Sequence, residues 1–382
     1  MWWIPPRTSR RPAGSTSTSG PVCACCWPGS CSSCGTGSPR CRRRTLSTAR
    51  SLKRSTRLRA LVSLTDATDS SAWVHTVRGP TGTAVVAPRG AALLSFTTPS
   101  GEHLVLATES DGRRADCSGA VLAPWTNRIR DGRYDFQGKT HTLPLTEPER
   151  GAAVHGLVLG ALWTRDRSAS SSSRLVLRHE LAPSPGYPHR LNLACSYEVT
   201  DAGLTVTVTA RNCGRDSAPY AVGGHPYLIP PSSPEAAGRP GRVDLWRLEV
   251  PAGTCLVTDS DRLLPLGSAP VDGSAEDFRA GRSLRGARHD VALGDLARDS
   301  TGCFSCRLTG DDGRATVMNC GQGVRWIQVY TDDQGAEGAT RRAVAVEPMS
   351  APADAFNSEQ DLTVLAPGEE HRLWWRIGQE SD

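Results

Sequence analysis

The sequence predicts an all-β protein: one large antiparallel β-sandwich over residues 66–382, behind a low-complexity extension at residues 1–65. Three observations predict it. From about residue 80, apolar residues recur in short runs with a period of two. Turns rich in Gly and Pro separate the runs. No Ala- or Leu-rich segment sustains a 3.6-residue period over three turns. Many short strands with such turns argue for a sandwich or a barrel. About 300 residues without a second break in composition favour one large sandwich over two domains.

Taken in order, strands are expected at 83–86, 92–97, 103–107 and 174–181. The stretch 190–199, the turn Asp201-Ala202-Gly203 and the run after it read as a hairpin. In that run Leu204, Val206, Val208 and Ala210 alternate with Thr205, Thr207 and Thr209. Further strands follow at 217–222, 245–250, 303–308, 325–330 and 342–347. Pro367-Gly368 turns the chain into a last strand, where Leu373, Trp375 and Ile377 alternate with Arg372, Trp374 and Arg376. Residues 168–173 read as a polar loop and 230–240 as a Pro/Ser/Gly-rich loop expected to be mobile.

The formal charge of +5 conceals two polymers. Residues 1–60 carry twelve basic residues and no acid, leaving 32 basic against 39 acidic, or −7, for the rest. Six of the thirteen cysteines also fall within the first 41 residues. Arg outnumbers Lys 42 to two, which reads as codon bias rather than a nucleic-acid footprint. No run of 18 apolar residues exists, so no membrane-spanning helix is expected.

Residues 1–65 cannot bury enough apolar surface to offset the entropy of ordering, and are expected to be a disordered extension or a segment not translated in the natural protein. A targeting segment would need an apolar run after its basic residues, and none follows Arg10-Arg11. A zinc site would need a partner for the pair Cys31 and Cys34, and no second pair stands at the usual distance. A nucleic-acid-binding head is a further reading, testable as salt-dependent DNA binding lost on deletion. Deleting residues 1–60 is expected to leave fold and activity intact; loss of soluble, active protein on that deletion would refute the assignment.

Several motifs fail. Gly138-Lys139-Thr140 resembles the end of a phosphate-binding loop, but the required upstream Gly is Arg133 and the segment reads as a hairpin. No Gly-x-Ser-x-Gly elbow occurs. Cys303 and Cys306 have redox-motif spacing without a following helix. Seven cysteines beyond residue 60, without patterned spacing, suit a reducing compartment, hence a cytoplasmic location.

Four segments could carry chemistry. In Leu122-Ala-Pro-Trp125-Thr-Asn127-Arg128-Ile129, Trp offers a face for a sugar ring, and Asn with Arg offers forked hydrogen bonds to hydroxyls. In Gly151-Ala-Ala-Val-His155-Gly156 a His is flanked by small residues. In Gly223-Gly224-His225-Pro226-Tyr227 the glycines would let the backbone approach a ligand, while Pro226 restricts His225. In Val344-Ala-Val-Glu347-Pro348 an acid ends an apolar strand, partly buried, where a carboxylate pKa tends to rise. Each has a bland alternative: a structural His, a surface Arg pair, a turn-capping Glu, a core Trp. Together they suggest acid/base work on a polyhydroxylated ligand.

Segments 119–136, 151–157, 223–228 and 344–357 resemble the aldose 1-epimerases, the galactose mutarotase-like proteins, over roughly residues 80–380. The runs Leu-Ala-Pro-Trp-x-Asn-Arg-Ile, Leu143-Pro-Leu-Thr-Glu-Pro148, Val154-His-Gly156, Gly224-His-Pro-Tyr227 and Glu347-Pro-Met-Ser-Ala-Pro352 carry the likeness. The resemblance implies a galactose mutarotase-like supersandwich that interconverts the α and β anomers of an aldose without metal or cofactor. It implies Glu347 as general base and His225 as general acid. It also implies that Asn127, Arg128, His155, Asp290 and Gln328 bind the sugar; Trp125 joins these substrate-binding residues on the stacking face noted above. It leaves the sugar open, and implies a monomer or homodimer with a small aldose as partner, not nucleic acid or membrane. The alternative is a non-catalytic carbohydrate-binding or sugar-sensing module on the same scaffold; a matched acid and base favour the enzyme.

Overall fold

The computed structural model describes residues 74–108, 117–334 and 340–380, so the expected extension at 1–65 lies outside the described residues. Two large antiparallel sheets dominate. The first runs in the order His75–Gly79, Gly82–Ala87, Ala92–Thr97, His103–Val105, Tyr227–Ser232, Val344–Met349, Trp326–Tyr330, Asp290–Leu296, Ala252–Thr258 and Pro265–Pro270. The short strands Val121–Leu122 and Gly223–Gly224 pair beside it. The second sheet is centred on Arg174–Leu181, Leu191–Thr200, Gly203–Asn212, Glu370–Gln379, Ala315–Cys320 and Phe304–Thr309. Among the described residues about 49 % are in strand and 4 % in helix, so the all-β expectation holds. Among the described residues no helix is long and apolar enough to cross a membrane.

The predicted hairpin is present in register: Leu191–Thr200 pairs with Gly203–Asn212 from Thr200↔Gly203 through Leu191↔Asn212. Leu204, Val206, Val208 and Ala210 are fully buried, so one face of the second sheet supplies the core. Gly138-Lys139-Thr140 lies on the hairpin of Arg133–Phe136 with Lys139–Thr142, not in a phosphate loop. The described cysteines are free thiols.

One loop expectation is corrected. Residues 230–232 belong to the strand Tyr227–Ser232 and are buried. Pro230 and Pro231 fit there because the pairing with His103–Val105 slips between Leu228 and Ser232, where no ladder N–H is required.

The site is placed by the period of two. On adjacent strands, Gln328 lies opposite Glu347, Tyr330 opposite Asp290, and Tyr227 opposite Ala345. These positions share one face of the first sheet. Their neighbours Val346, Ile327, Val329 and Val291 point to the other face and join the main core. The same face carries a small separate apolar patch, Leu256, Ala292, Trp326, Met349 and Ala353.

Candidate active site

Glu347 is not at a strand end. It sits inside Val344–Met349, opposite Gln328, and is only 2 % exposed. Beside it, Gln328 Nε2 donates to Asp290 Oδ1 at 2.7 Å and Gln328 Oε1 accepts from Asn127 Nδ2 at 3.3 Å. Asp290 is thus tied to the site through a neighbouring strand, while Val291 after it turns into the core.

The facing wall is a two-stranded ribbon, Arg128–Arg130 against Ala152–Val154. Asn127 and His155 flank it, both with left-handed backbone (φ 50° and 61°), and the His155 N–H donates to the Asn127 carbonyl at 2.9 Å. Such backbone concentrates at sites whose surroundings over-determine it. Gly156 follows at φ 81°, and a Cβ there would lie 2.0 Å from the Ala123 carbonyl oxygen, so glycine is required to turn the chain after His155. Arg128 is held by Glu147 at two points: Nε to Oε2 at 2.5 Å and Nη2 to Oε1 at 2.8 Å.

His225 comes from the turn between Gly223–Gly224 and Tyr227–Ser232. Its N–H donates to the Ala120 carbonyl at 3.0 Å, and its own carbonyl accepts from Gly119 N–H at 2.8 Å. The ring stacks on Tyr227 (centroids 5.2 Å apart, 27° between planes) and meets the His155 ring edge-on at 5.3 Å. Its Nε2 stands 3.2 Å from Glu347 Oε1.

The glycines before His225 have a different purpose from the one expected. A Cβ on Gly224 would lie 2.6 Å from the indole of Trp375, and one on Gly223 would lie 2.7 Å from the Pro348 carbonyl oxygen. They allow close packing behind the histidine rather than approach of a ligand. Gly224→Ala is therefore expected to destabilise by about 1–3 kcal/mol through overpacking, measurable by denaturant titration.

Trp125 is also corrected. It is 2 % exposed, packs edge-on against Phe356 and donates from Nε1 to the Ala153 carbonyl at 3.2 Å. Its large apolar ring is used as core beneath the ribbon and offers no face to a sugar. Asn127, Arg128, His155, His225, Asp290, Gln328 and Glu347 do converge, lining a cavity of about 260 Å³. Cys117, Glu147, Val154, Tyr227, Tyr330, Asp332 and Gln334 complete the lining. The aromatic walls are therefore Tyr227 and Tyr330, not Trp125. The volume lies just below the usual range for ligand pockets, about 300–1,000 Å³, and has room for a single ring.

The family model for aldose 1-epimerase matches residues 74–378. The chain belongs to the aldose 1-epimerase family. It is 31 % identical over 295 residues to YihR, an uncharacterized protein of Escherichia coli K12, covering 77 % of this chain and 89 % of that one. It is 26 % identical over 295 residues to the galactose mutarotase of Rattus norvegicus, covering 68 % and 78 %. A GalM/aldose epimerase homologue from C. elegans shares the fold, with a TM-score of 0.69 at 20 % identity, over 80 % of this chain and 98 % of that chain. Family membership supports an epimerase role in carbohydrate metabolism.

The electrostatics of this aldose 1-epimerase family site are set by burial. Loss of water raises Glu347 well above the ordinary carboxylate value, Asp290 adds to the rise and Arg128 opposes it. Burial likewise raises Asp290, against the pull of Arg128. His155 is pushed well below the ordinary imidazole value by burial, then by His225 and Arg128, which keeps it neutral near pH 7. Burial pushes the Tyr330 phenol up to about 12, and its oxygen accepts the Gln334 N–H at 2.8 Å. Oε2 of Glu347 and Nδ1 of His155 are buried and find no hydrogen-bond partner among the described residues, two groups that a ligand hydroxyl could satisfy. Donor atoms of His155, His225 and Glu347 lie within 4.8 Å of one another, a spacing a cation could bridge.

Sequence reasoning assigned no role to Glu147, Cys117, Tyr330, Asp332 or Gln334. Glu147 had a signal, because like Glu347 it directly precedes a proline.

Proposed function

We propose that the protein is an aldose 1-epimerase, a mutarotase that interconverts sugar anomers by ring opening and reclosure. The single observation that supports it best is the buried pair of Glu347 Oε1 and His225 Nε2, 3.2 Å apart on the wall of a sugar-sized cavity. Opening a hemiacetal needs one group to accept a proton and one to donate.

In this reading Glu347 takes the proton from the O1 hydroxyl while protonated His225 gives one to the ring oxygen. The C1–ring-oxygen bond breaks and C1 becomes an aldehyde. Rotation about the C1–C2 bond presents the other face of the carbonyl. Reclosure with the reverse transfers restores both residues. Before opening the pair is charged; afterwards both are neutral. Burial disfavours the ionised carboxylate, so it makes Glu347 a stronger base toward O1. Asn127, Arg128, His155, Asp290 and Gln328 would hold the hydroxyls. A neutral aldose suits the lining, whose acids Glu147, Asp290, Asp332 and Glu347 disfavour an anionic one.

Polarimetry of freshly dissolved α-anomers across hexoses, pentoses and modified hexoses tests the proposal. Equilibration faster than buffer is expected for at least one sugar. Binding without acceleration would instead identify a sugar-binding module.

A further inference from the structure

We propose that Glu147 is a positioning residue for this site: its carboxylate holds the Nε/Nη2 edge of the Arg128 guanidinium, so that Arg128 turns its other edge, Nη1 with the second Nη2 N–H, to the sugar. The proposal rests on the mutarotase reading and assigns a role outside the acid/base pair.

Both carboxylate oxygens of Glu147 are engaged. Oε2 accepts from Arg128 Nε at 2.5 Å, while Oε1 accepts from Arg128 Nη2 at 2.8 Å and lies 3.2 Å from Arg150 Nε. The Arg128 and Glu147 side chains are only 12 % and 16 % exposed, so the pair is held largely out of water, where bidentate geometry is restrictive. Glu147 is itself fixed, because its backbone N–H donates to the Ala152 carbonyl at 3.0 Å on the same ribbon that carries Arg128. On the other edge Nη2 keeps a second N–H, and Arg128 Nη1 makes a long 3.4 Å approach to Asn127 Oδ1, which also accepts the Arg128 backbone N–H at 2.9 Å. With one edge held by Glu147, the other is fixed in direction and can donate N–H groups to hydroxyl or ring oxygens.

The clamp also bears on the base. Glu347 is faced by His225, His155, Asp290 and Arg128, with Glu147 and Arg150 behind Arg128. Arg128 pulls the Glu347 pKa down against burial and Asp290. Glu147 cancels part of that guanidinium charge. Without it Arg128 acts in full, Glu347 ionises at lower pH, and the acid limb of the rate profile moves down.

Glu147→Gln and Glu147→Asp, assayed by polarimetry across pH, test the proposal. Glu147→Gln is expected to raise KM, lower kcat/KM by up to about 10²-fold, and shift the acid limb to lower pH. Glu147→Asp keeps the charge but shortens the reach, so kcat/KM falls while the limb stays in place. Wild-type KM and pH profile in both variants would overturn the proposal while leaving the mutarotase reading intact. If Glu147→Gln lacks a cooperative melt, Glu147→Asp decides alone: a raised KM upholds the role and an unchanged one refutes it. If the wild type turns over no sugar, the mutarotase reading falls by itself. Calorimetric affinity of Glu147→Asp for the sugars the wild type binds then judges the clamp, and a wild type that binds none removes both.

Discussion

Glu347→Gln is expected to lower kcat by roughly 10²–10⁴ while leaving the protein as stable as the wild type at neutral pH, or more stable. The loss follows from the role: an amide accepts no proton from O1. The gain follows from linkage. The folded-state pKa of Glu347 is raised well above 4.5. Such a group contributes stability fully below its unfolded pKa and loses it as pH rises through the folded value. At neutral pH a buried, ionised Glu347 therefore costs stability that an uncharged Gln does not. Thermal melts of both proteins across pH check this: the midpoint of the variant should gain on the wild type from near pH 4.5 upward. A difference that stays flat with pH would contradict the buried-carboxylate account. Full activity in Glu347→Gln would remove Glu347 from the mechanism. The same shift places the acid limb of wild-type kcat/KM above the ordinary carboxylate range, and a limb at or below 4.5 would argue against it.

The sandwich was legible wherever strands are long enough to display a period. Leu204 to Ala210 fixes its own burial, because a one-residue slip would expose every Val and Leu of the run. The strands that build the site are shorter: Val121–Leu122, Arg128–Arg130, Ala152–Val154 and Gly223–Gly224 hold two or three residues each, too few to alternate visibly. Chemical types were more informative there. A Glu within the apolar run 344–349 and histidines beside glycines stand out against any sheet pattern. Partnership was not legible. Strands 290–296, 326–330 and 344–349 become neighbours by crossover, and Glu147 meets Arg128 across a ribbon of hairpins. Trp125 shows the limit of residue type as a guide: the same indole serves a sugar platform or a core, and only packing distinguishes them.

Replacing the two cleft histidines should separate proton transfer from binding. His225→Asn is expected to cut kcat by roughly 10²–10⁴ with little change in KM, because it removes the donor to the ring oxygen. His155→Gln is expected to act mainly on KM, lowering kcat/KM by about tenfold, the magnitude of one hydrogen bond to a bound hydroxyl. The distinction rests on placement. His225 Nε2 faces Glu347 Oε1 at 3.2 Å, so acid and base can act on the two oxygens attached to C1. His155 meets the edge of the His225 ring and is held neutral by burial, His225 and Arg128, so it cannot carry the proton on which the forward step depends. The pH profile of His155→Gln should therefore retain the wild-type limbs. A collapse of kcat in His155→Gln with His225→Asn near wild type would exchange the two roles. In that case the proton would have to reach the ring oxygen from the ribbon side of the cleft, and the contact between His225 and Glu347 would serve only to orient the base.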